Sequence, residues 1–373
     1  MAFYFAIARG MLFFIAWSEP RHWSVGLSDA GFAWDWDEAV RRGDMCGADM
    51  FDAVAPRTKA VLVHGGIYQA VEHRMPPPLP GFKGALVGYE GNPPVVSWPG
   101  GARVAISLVV NYEEGSELAI GDGDATREPS GPASWPLSKR DLAGEGFFEY
   151  GSRAGYWRLL DIFDEQDVKC TFYACAVALE RNRDAAKEMR KRGHDVMSHG
   201  YRWEDVSLLT REQEREHIRL AVESIAETTG ERPLGWYCRY GPSVHTRELV
   251  VEEGGFLYDC DAYNDDLPYW TSVGGKKHLV VPYSLMNNDG KFNWGAFGSP
   301  VDFEKHLKAS FDQLYKEGAT HPRMMSIGLH MRVVGHPGRA HALARFIEYA
   351  KTFPNVWFAR RIDIARHWMA HHA

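Results

Sequence analysis

The stretch Val104-Ala-Ile-Ser-Leu-Val-Val-Asn-Tyr-Glu-Glu-Gly115 decides how the rest of the chain is read. As far as Val110 it is almost wholly apolar and shows no alternation, which is the pattern of a strand buried on both faces. It then ends in two adjacent carboxylates, Glu113 and Glu114, followed by Gly115. Neighbours on an extended chain point to opposite faces, so one carboxylate can act as a general base while the other binds a metal or orients a partner. An isolated Glu-Glu pair is more often a solvated loop, but after a buried strand and beside Gly115 the loop and the functional reading weigh about equally.

Similar apolar runs recur outward from this strand. Val168 to Ala174, His194 to Ser198, Gly235 to Cys238, Phe256 to Cys260, His278 to Tyr283, Met324 to His330 and Val356 to Arg360 read as strands. Helical stretches separate them. One opens at Ser152 and carries Tyr156, Leu159, Leu160 and Phe163 at helical spacing, and a polar helix runs to Gly193. Thr210 with Gln213 forms a capping box for a helix reaching Gly230. Further helices are expected around Thr246 to Glu253, Asp302 to Lys316 and Arg339 to Lys351. About seven βα units predict an α/β fold, either a (β/α) barrel or a doubly wound sheet. Both place a ligand at the carboxyl ends of the strands. There the chain carries Ser198-His-Gly-Tyr-Arg-Trp203, Cys238-Arg-Tyr-Gly-Pro-Ser243, Asp259 to Trp270, and Gly328-Leu-His-Met-Arg332. Either His199 or His330 alone is more often a satisfied core histidine. Two at strand ends of one sheet favour a functional pair.

Composition narrows the classes. Of 373 residues 45% are apolar and 24% charged, with 37 Gly and 20 Pro, which excludes a collagenous or disordered chain. With 42 Lys and Arg against 49 Asp and Glu the net charge is -7, so a nucleic acid is not the expected partner. Five cysteines without a CxxC pair suggest neither a disulfide scaffold nor a thiolate zinc site, and point to a reducing, cytoplasmic setting. Met1 to Trp17 is the most apolar stretch, but Arg9 interrupts it and no basic residue precedes it, so a terminal helix is expected rather than a signal or a membrane span. Residues 1–80 read as an irregular extension closed by the Pro-rich run His73 to Pro80, and 81–373 as the main domain. Gly121-Asp-Gly-Asp124 resembles the start of a calcium loop, but its twelfth position is Ala133, so a turn is expected. His367 and His371 read as part of a frayed polar tail. No GxSxG elbow, phosphate loop or GxGxxG occurs.

At these strand ends the sequence resembles the polysaccharide deacetylase superfamily (NodB homology), and within it the allantoinase-like branch. The resemblance spans Leu86 to His372. It rests on Val110 to Gly115, Tyr150-Gly-Ser-Arg-Ala-Gly155, Ser198 to Trp203, Gly230-Glu-Arg-Pro-Leu-Gly-Trp-Tyr237, Val250 to Asp259, Asp265-Asp-Leu-Pro-Tyr-Trp270 and Gly335-His-Pro-Gly-Arg339. It implies a distorted (β/α)7 barrel. In the sugar deacetylases the first motif supplies a base carboxylate and then a metal carboxylate, which fall on Glu113 and Glu114. The second supplies two metal histidines, and here His199 is kept while Trp203 takes the later place. Indole cannot ligate a metal, and Glu114 with His199 fall short of the three protein ligands of a catalytic zinc. The resemblance to the allantoinase-like branch implies work without a cofactor on a small cyclic amide or ureide, whose carbonyl is reactive enough to do without zinc. In that reading Glu113 is the base and His330 the acid. Glu114, His199, Trp203, Arg239, Asp265 and Arg332 bind or orient substrate, with the arginines at the oxyanion or ureide oxygens. The Arg239 motif and Met286-Asn-Asn-Asp289 depart from the allantoinase pattern. The competing expectations are a zinc-dependent N-deacetylase of chitin-like or peptidoglycan sugars and an inactive carbohydrate-binding protein. A homo-oligomer with no membrane partner is also expected.

Overall fold

The computed structural model describes residues 88–372, apart from 90, 131–134, 240 and 294, together with backbone strands lying between residues 2 and 70. The chain divides into two compact units, Met1–Gly88 and Tyr89–Ala373. In the first, β1 (Ala2–Ala8), β2 (Met11–Ser18), β3 (His22–Leu27) and β4 (Ala33–Asp35) form an antiparallel sheet in that order, and β5 (Lys59–Val63) pairs with β6 (Gly66–Ala70). Strands thus stand where a terminal helix and an irregular stretch were expected. The aromatic and β-branched content of the first two segments favours extended backbone, and pairing of Ala8 with Met11 closes a tight hairpin. The charged run 36–44, Cys46 and the Pro-rich run 73–80 lie outside the described residues.

The second unit is a curled sheet wrapped by helices. Its strands are β7 (Val104–Tyr112), β8 (Thr171–Ala174), β9 (Asp195–Ser198), β10 (Gly235–Trp236), β11 (Tyr258–Asp259), β12 (Tyr269–Val273), β13 (Lys276–Val280), β14 (Arg323–His330) and β15 (Val356–Phe358). The order is β12-β13-β11-β10-β9-β8-β7-β14, with β15 also on β7, and every pair is parallel except β12 with β13. This is a distorted (β/α) barrel. Around it run α1 (Leu142–Tyr150), α2 (Tyr156–Glu165), α3 (Ala176–Arg181), α4 (Arg183–Lys191), α5 (Arg211–Thr229), α6 (Thr246–Glu253), α7 (Pro300–Glu317), α8 (Pro337–Lys351) and α9 (Arg361–His371). The capping box of Thr210 and Gln213 is present. The 121–124 segment is a turn whose Asp124 pairs with Arg202. Among the described residues no helix is long and apolar enough to cross a membrane.

The central strand shows how the sequence positions the site. Val104, Ile106, Leu108, Val110 and Tyr112 face the surrounding helices, and Ala105 and Val109 face the barrel interior. Both faces are buried, each fully covered Val, Leu or Ile contributing about 1.5–3 kcal/mol. The same alternation sends Glu113 inward and Glu114 outward. On β14, Met325, Ile327 and Leu329 face the helices, leaving Ser326, Gly328 and His330 inside. Trp236 faces out and Tyr237 in. His199 shares the parity of inward Met197.

Two further features were not foreseen. Between α1 and α2 the helix widens into a π turn over Gly151–Gly155. A Cβ at Gly151 would strike the Glu114 carboxylate, and one at Gly155 the carbonyl of Met331, so the glycines let this helix close on the strand ends. The second feature is α9, where a frayed tail was expected. Ile362, Ala365 and Trp368 recur at helical spacing on its buried side, and Trp368 packs on Trp98 with ring centres 6.0 Å apart. At its start Arg361 is wholly buried inside the barrel, donating to Ser326 Oγ at 2.9 Å, Tyr173 Oη at 3.1 Å and the carbonyls of Pro282 and Val281 at 2.8 and 3.3 Å.

Candidate active site

The carboxyl ends of the strands surround a cavity of about 670 Å³, within the range of small-molecule sites. It brings together Glu113, His199, Trp203, Arg239, His330 and Arg332. Glu113 is at its centre. Its Oε1 lies 3.2 Å from His199 Nε2 and 3.7 Å from His330 Nε2, and Oε2 lies 2.7 Å from Arg332 Nη1. Burial alone would push its pKa up, but the attraction of Arg332, then of His330 and His199, outweighs burial and holds Glu113 well below the usual carboxylate range. His199 Nδ1 donates to the carbonyl of Tyr237 at 2.9 Å, which leaves Nε2 turned to Glu113.

His330 is held from behind. Its Nδ1 donates to Asp289 Oδ1 at 2.6 Å, and its backbone N–H donates to Oδ2 at 2.7 Å. Burial lowers the imidazole pKa, but Asp289 and Glu113 outweigh it and raise it above the ordinary histidine value. Both shifts favour an ionised carboxylate beside a protonated imidazole, the two protonation states that a base and an acid require. Asp289 has no signal in the sequence beyond its place in an unusual segment. It lies 41 residues from its partner, and only the fold joins them.

Trp203 is placed by its neighbours. Arg202 grips Asp124 and the carbonyls of Ser116 and Glu117, and Trp203 N donates to Ser116 O at 3.2 Å. The indole then lies beneath two guanidinium groups, Arg239 Cζ at 3.5 Å and Arg332 Cζ at 4.9 Å from a ring centre. Arg239 donates to Trp203 O at 2.6 Å and pairs with buried Glu128. The lining also holds Tyr237, Tyr263 and Tyr283, with the first two hydroxyls 2.8 Å apart. Glu128 and these tyrosines were missed because aromatic and acidic residues in loops carry no distinguishing pattern.

Two of the expected substrate-binding residues lie outside this cavity. Glu114 does not line this cavity. It points outward by strand parity, accepts from the backbone N–H of Arg332 at 3.2 Å, and borders a second cavity behind the strand. Burial, against the pull of Arg332, raises its pKa. Asp265 also lies outside the lining, because its carboxylate accepts from Leu267 N at 3.0 Å and Tyr89 Oη at 2.7 Å.

The zinc implied by the sugar-deacetylase resemblance does not fit these residues. Glu114 and His199 diverge to different cavities, Trp203 offers no lone pair, and among the described residues no three His, Cys, Asp or Glu side chains converge as a cage.

A curled (β/α) barrel with carboxylate, imidazole and guanidinium groups at its strand ends is an architecture of the NodB type. Residues 147–258 match the family model described as polysaccharide deacetylase. A Schizosaccharomyces pombe protein classed as a polysaccharide deacetylase is 36% identical over 311 residues, covering 77% of this chain and 97% of its own length. The chain belongs to the polysaccharide deacetylase family. The crystal structure of PuuE allantoinase is 50% identical, with a TM-score of 0.74 over 77% of this chain and 97% of that one. A Pseudomonas aeruginosa PAO1 protein classed as a polysaccharide deacetylase is 48% identical, with a TM-score of 0.74 over 77% and 98%. These likenesses support a hydrolase of carbon–nitrogen bonds.

Proposed function

We propose that the chain hydrolyses a neutral cyclic amide or ureide, of which allantoin is the nearest example, without a metal. The observation that carries this reading is the Glu113–Arg332 pair, 2.7 Å apart, at the focus of the cavity. Both arginines of the lining already face a carboxylate, Arg332 facing Glu113 and Arg239 facing Glu128. The cavity thus favours a polar substrate without net charge over an anion. Likeness to PuuE allantoinase supports the ureide class.

In the proposed mechanism Glu113 takes a proton from water as its oxygen attacks a ring carbonyl. His330 Nε2 then gives a proton to the departing ring nitrogen, so that the C–N bond breaks and the ring opens to an acid and an amide or urea. Arg332 Nε is buried without a hydrogen-bond partner among the described residues, which leaves a donor for the developing oxyanion. Asp289, accepting from Nδ1, orients the His330 ring so that Nε2 faces the cavity and favours the doubly protonated ring that can give a proton there. The four described cysteines are buried free thiols, which accords with a reducing, cytoplasmic setting.

The test is a panel of allantoin, hydantoins, succinimide and chitooligosaccharides assayed with and without EDTA. Turnover of a cyclic amide unchanged by the chelator is expected. Turnover confined to acetylated sugars and lost with the chelator would establish the metal-dependent deacetylase, and binding without turnover the inactive carbohydrate-binding protein.

A further inference from the structure

We infer that the Arg332 guanidinium is the resident cation of this site. From a side chain it does the charge-holding work that a divalent ion would do for these carboxylates, and it closes the place where such an ion would sit. The inference deepens the proposed function, but it stands on this chain's own geometry.

Arg332 Nη1 lies between the two carboxylates, 2.7 Å from Glu113 Oε2 and 3.3 Å from Glu114 Oε1. The residue is 4% exposed, so little water competes for either contact. Its position is set at several points. The backbone N–H donates to Glu114. The guanidinium packs on Phe148 at 4.5 Å and on Trp203 at 4.9 Å, ring centre to Cζ. A guanidinium keeps its charge at every working pH and offers only donors, so it can pair with carboxylates but cannot share a metal's ligand set. A dication placed beside it would meet a like charge at contact distance.

The indole that replaces a ligand and the arginine that replaces the ion therefore act as one unit, with Trp203 supplying the aromatic face on which the guanidinium rests. The arrangement also says what Arg332 holds back. Both His199 Nε2 and His330 Nε2 face Glu113 Oε1, at 3.2 and 3.7 Å. With the guanidinium gone, Glu113 Oε2 and Glu114 Oε1 would lose the cation between them, with two imidazoles at the other oxygen of Glu113, and carboxylates and imidazoles are donors that zinc accepts.

The experiment compares EDTA-stripped wild type, Arg332→Ser and Arg332→Lys in titrations with Zn²⁺ against a chromophoric chelator, each variant first checked for a cooperative melt. Arg332→Ser should bind one Zn²⁺ at least ten-fold more tightly than wild type, and Arg332→Lys, which keeps a cation there, no more than about three-fold more tightly. Wild type binding Zn²⁺ as tightly as Arg332→Ser overturns the inference, and if the serine variant does not fold, Arg332→Gln takes its place. A second readout uses activity. Turnover by Arg332→Ser should recover at least ten-fold with added guanidinium ion and not with equal sodium chloride, and absence of recovery in a folded variant also overturns it. The zinc titration needs no substrate, so its outcome is separable from any failure of the proposed cyclic-amide activity.

Discussion

Asp289 meets His330 twice, its Oδ1 accepting from the ring Nδ1 at 2.6 Å and its Oδ2 from the backbone N–H at 2.7 Å. The carboxylate comes from the loop after β13 and the histidine from the end of β14, so the pair also ties two strands that share no ladder. Removing its charge is the cleanest way to ask whether His330 acts as the acid.

The facing groups are Asp289 and Glu113, which raise the pKa of His330, and Arg332, which opposes them. The acid must be protonated, so kcat/KM should be full at lower pH and fall as pH rises through this elevated value. In Asp289→Asn the alkaline limb should move to lower pH by roughly one to two units, because a charge-assisted hydrogen bond of about 1.5–3 kcal/mol is lost. The pH profile of the variant checks this, and an unmoved alkaline limb would remove His330 from the acid role.

Glu113→Gln keeps shape and removes the base. Turnover of the best cyclic amide should drop by about 10² to 10⁴, while a cooperative melt is retained because Arg332 keeps Glu114 as a partner. In wild type the lowered pKa of Glu113 contributes stability that is present above the unfolded value of about 4.3 and lost as pH falls through the folded one. The variant should therefore lose less stability than wild type on acidification. Steady-state kinetics and melting at several pH values measure both effects.

Arg361 fills the barrel floor and bridges carbonyls after β13 to Ser326 on β14. Arg361→Met should cost about 3–5 kcal/mol, since it takes a donor from two buried carbonyls and two hydroxyls. Denaturant unfolding gives the number. A loss under about 1 kcal/mol would mean that the floor repacks around the shorter chain.

Asp261 accepts from Cys238 N through Oδ1, while its Oδ2 is buried without a hydrogen-bond partner among the described residues. Burial, with the nearby Asp259 charge, raises its pKa, whereas Arg247 and His278 keep Asp259 ionised. An acid with a raised folded pKa contributes stability below its unfolded value of about 3.9, and that contribution is lost as pH rises through the folded one. Asp261→Asn should thus gain on wild type between pH 5 and pH 8, by about 1–3 kcal/mol. Parallel melts at the two pH values decide it.

The repeated βα pattern was legible because β7, β8, β9 and the interior of β14 are buried on both faces, which leaves mainly apolar runs in the sequence. Thr246–Glu253 lies as the sequence places it. Short β10 and β11, and the exposed β12 beside them, were legible only in part, since two residues in a ladder leave no periodic trace. The terminal strands were misread because apolar content alone does not separate helix from strand, and α9 because its histidines drew a polar-tail reading over the Ile362, Ala365, Trp368 spacing.

Sequence alone determined that Glu113 and Glu114 leave one strand on opposite faces, a local property set by backbone parity, and its resemblance to the sugar deacetylases implied that Trp203 stands where they carry a metal histidine. Tertiary structure alone decided that the inward carboxylate is Glu113, that Asp289 backs His330, and that Arg332 faces carboxylates as well as the cavity. Each of these joins residues far apart in the chain, and such contacts follow from how the sheet curls and which loops its curvature brings together.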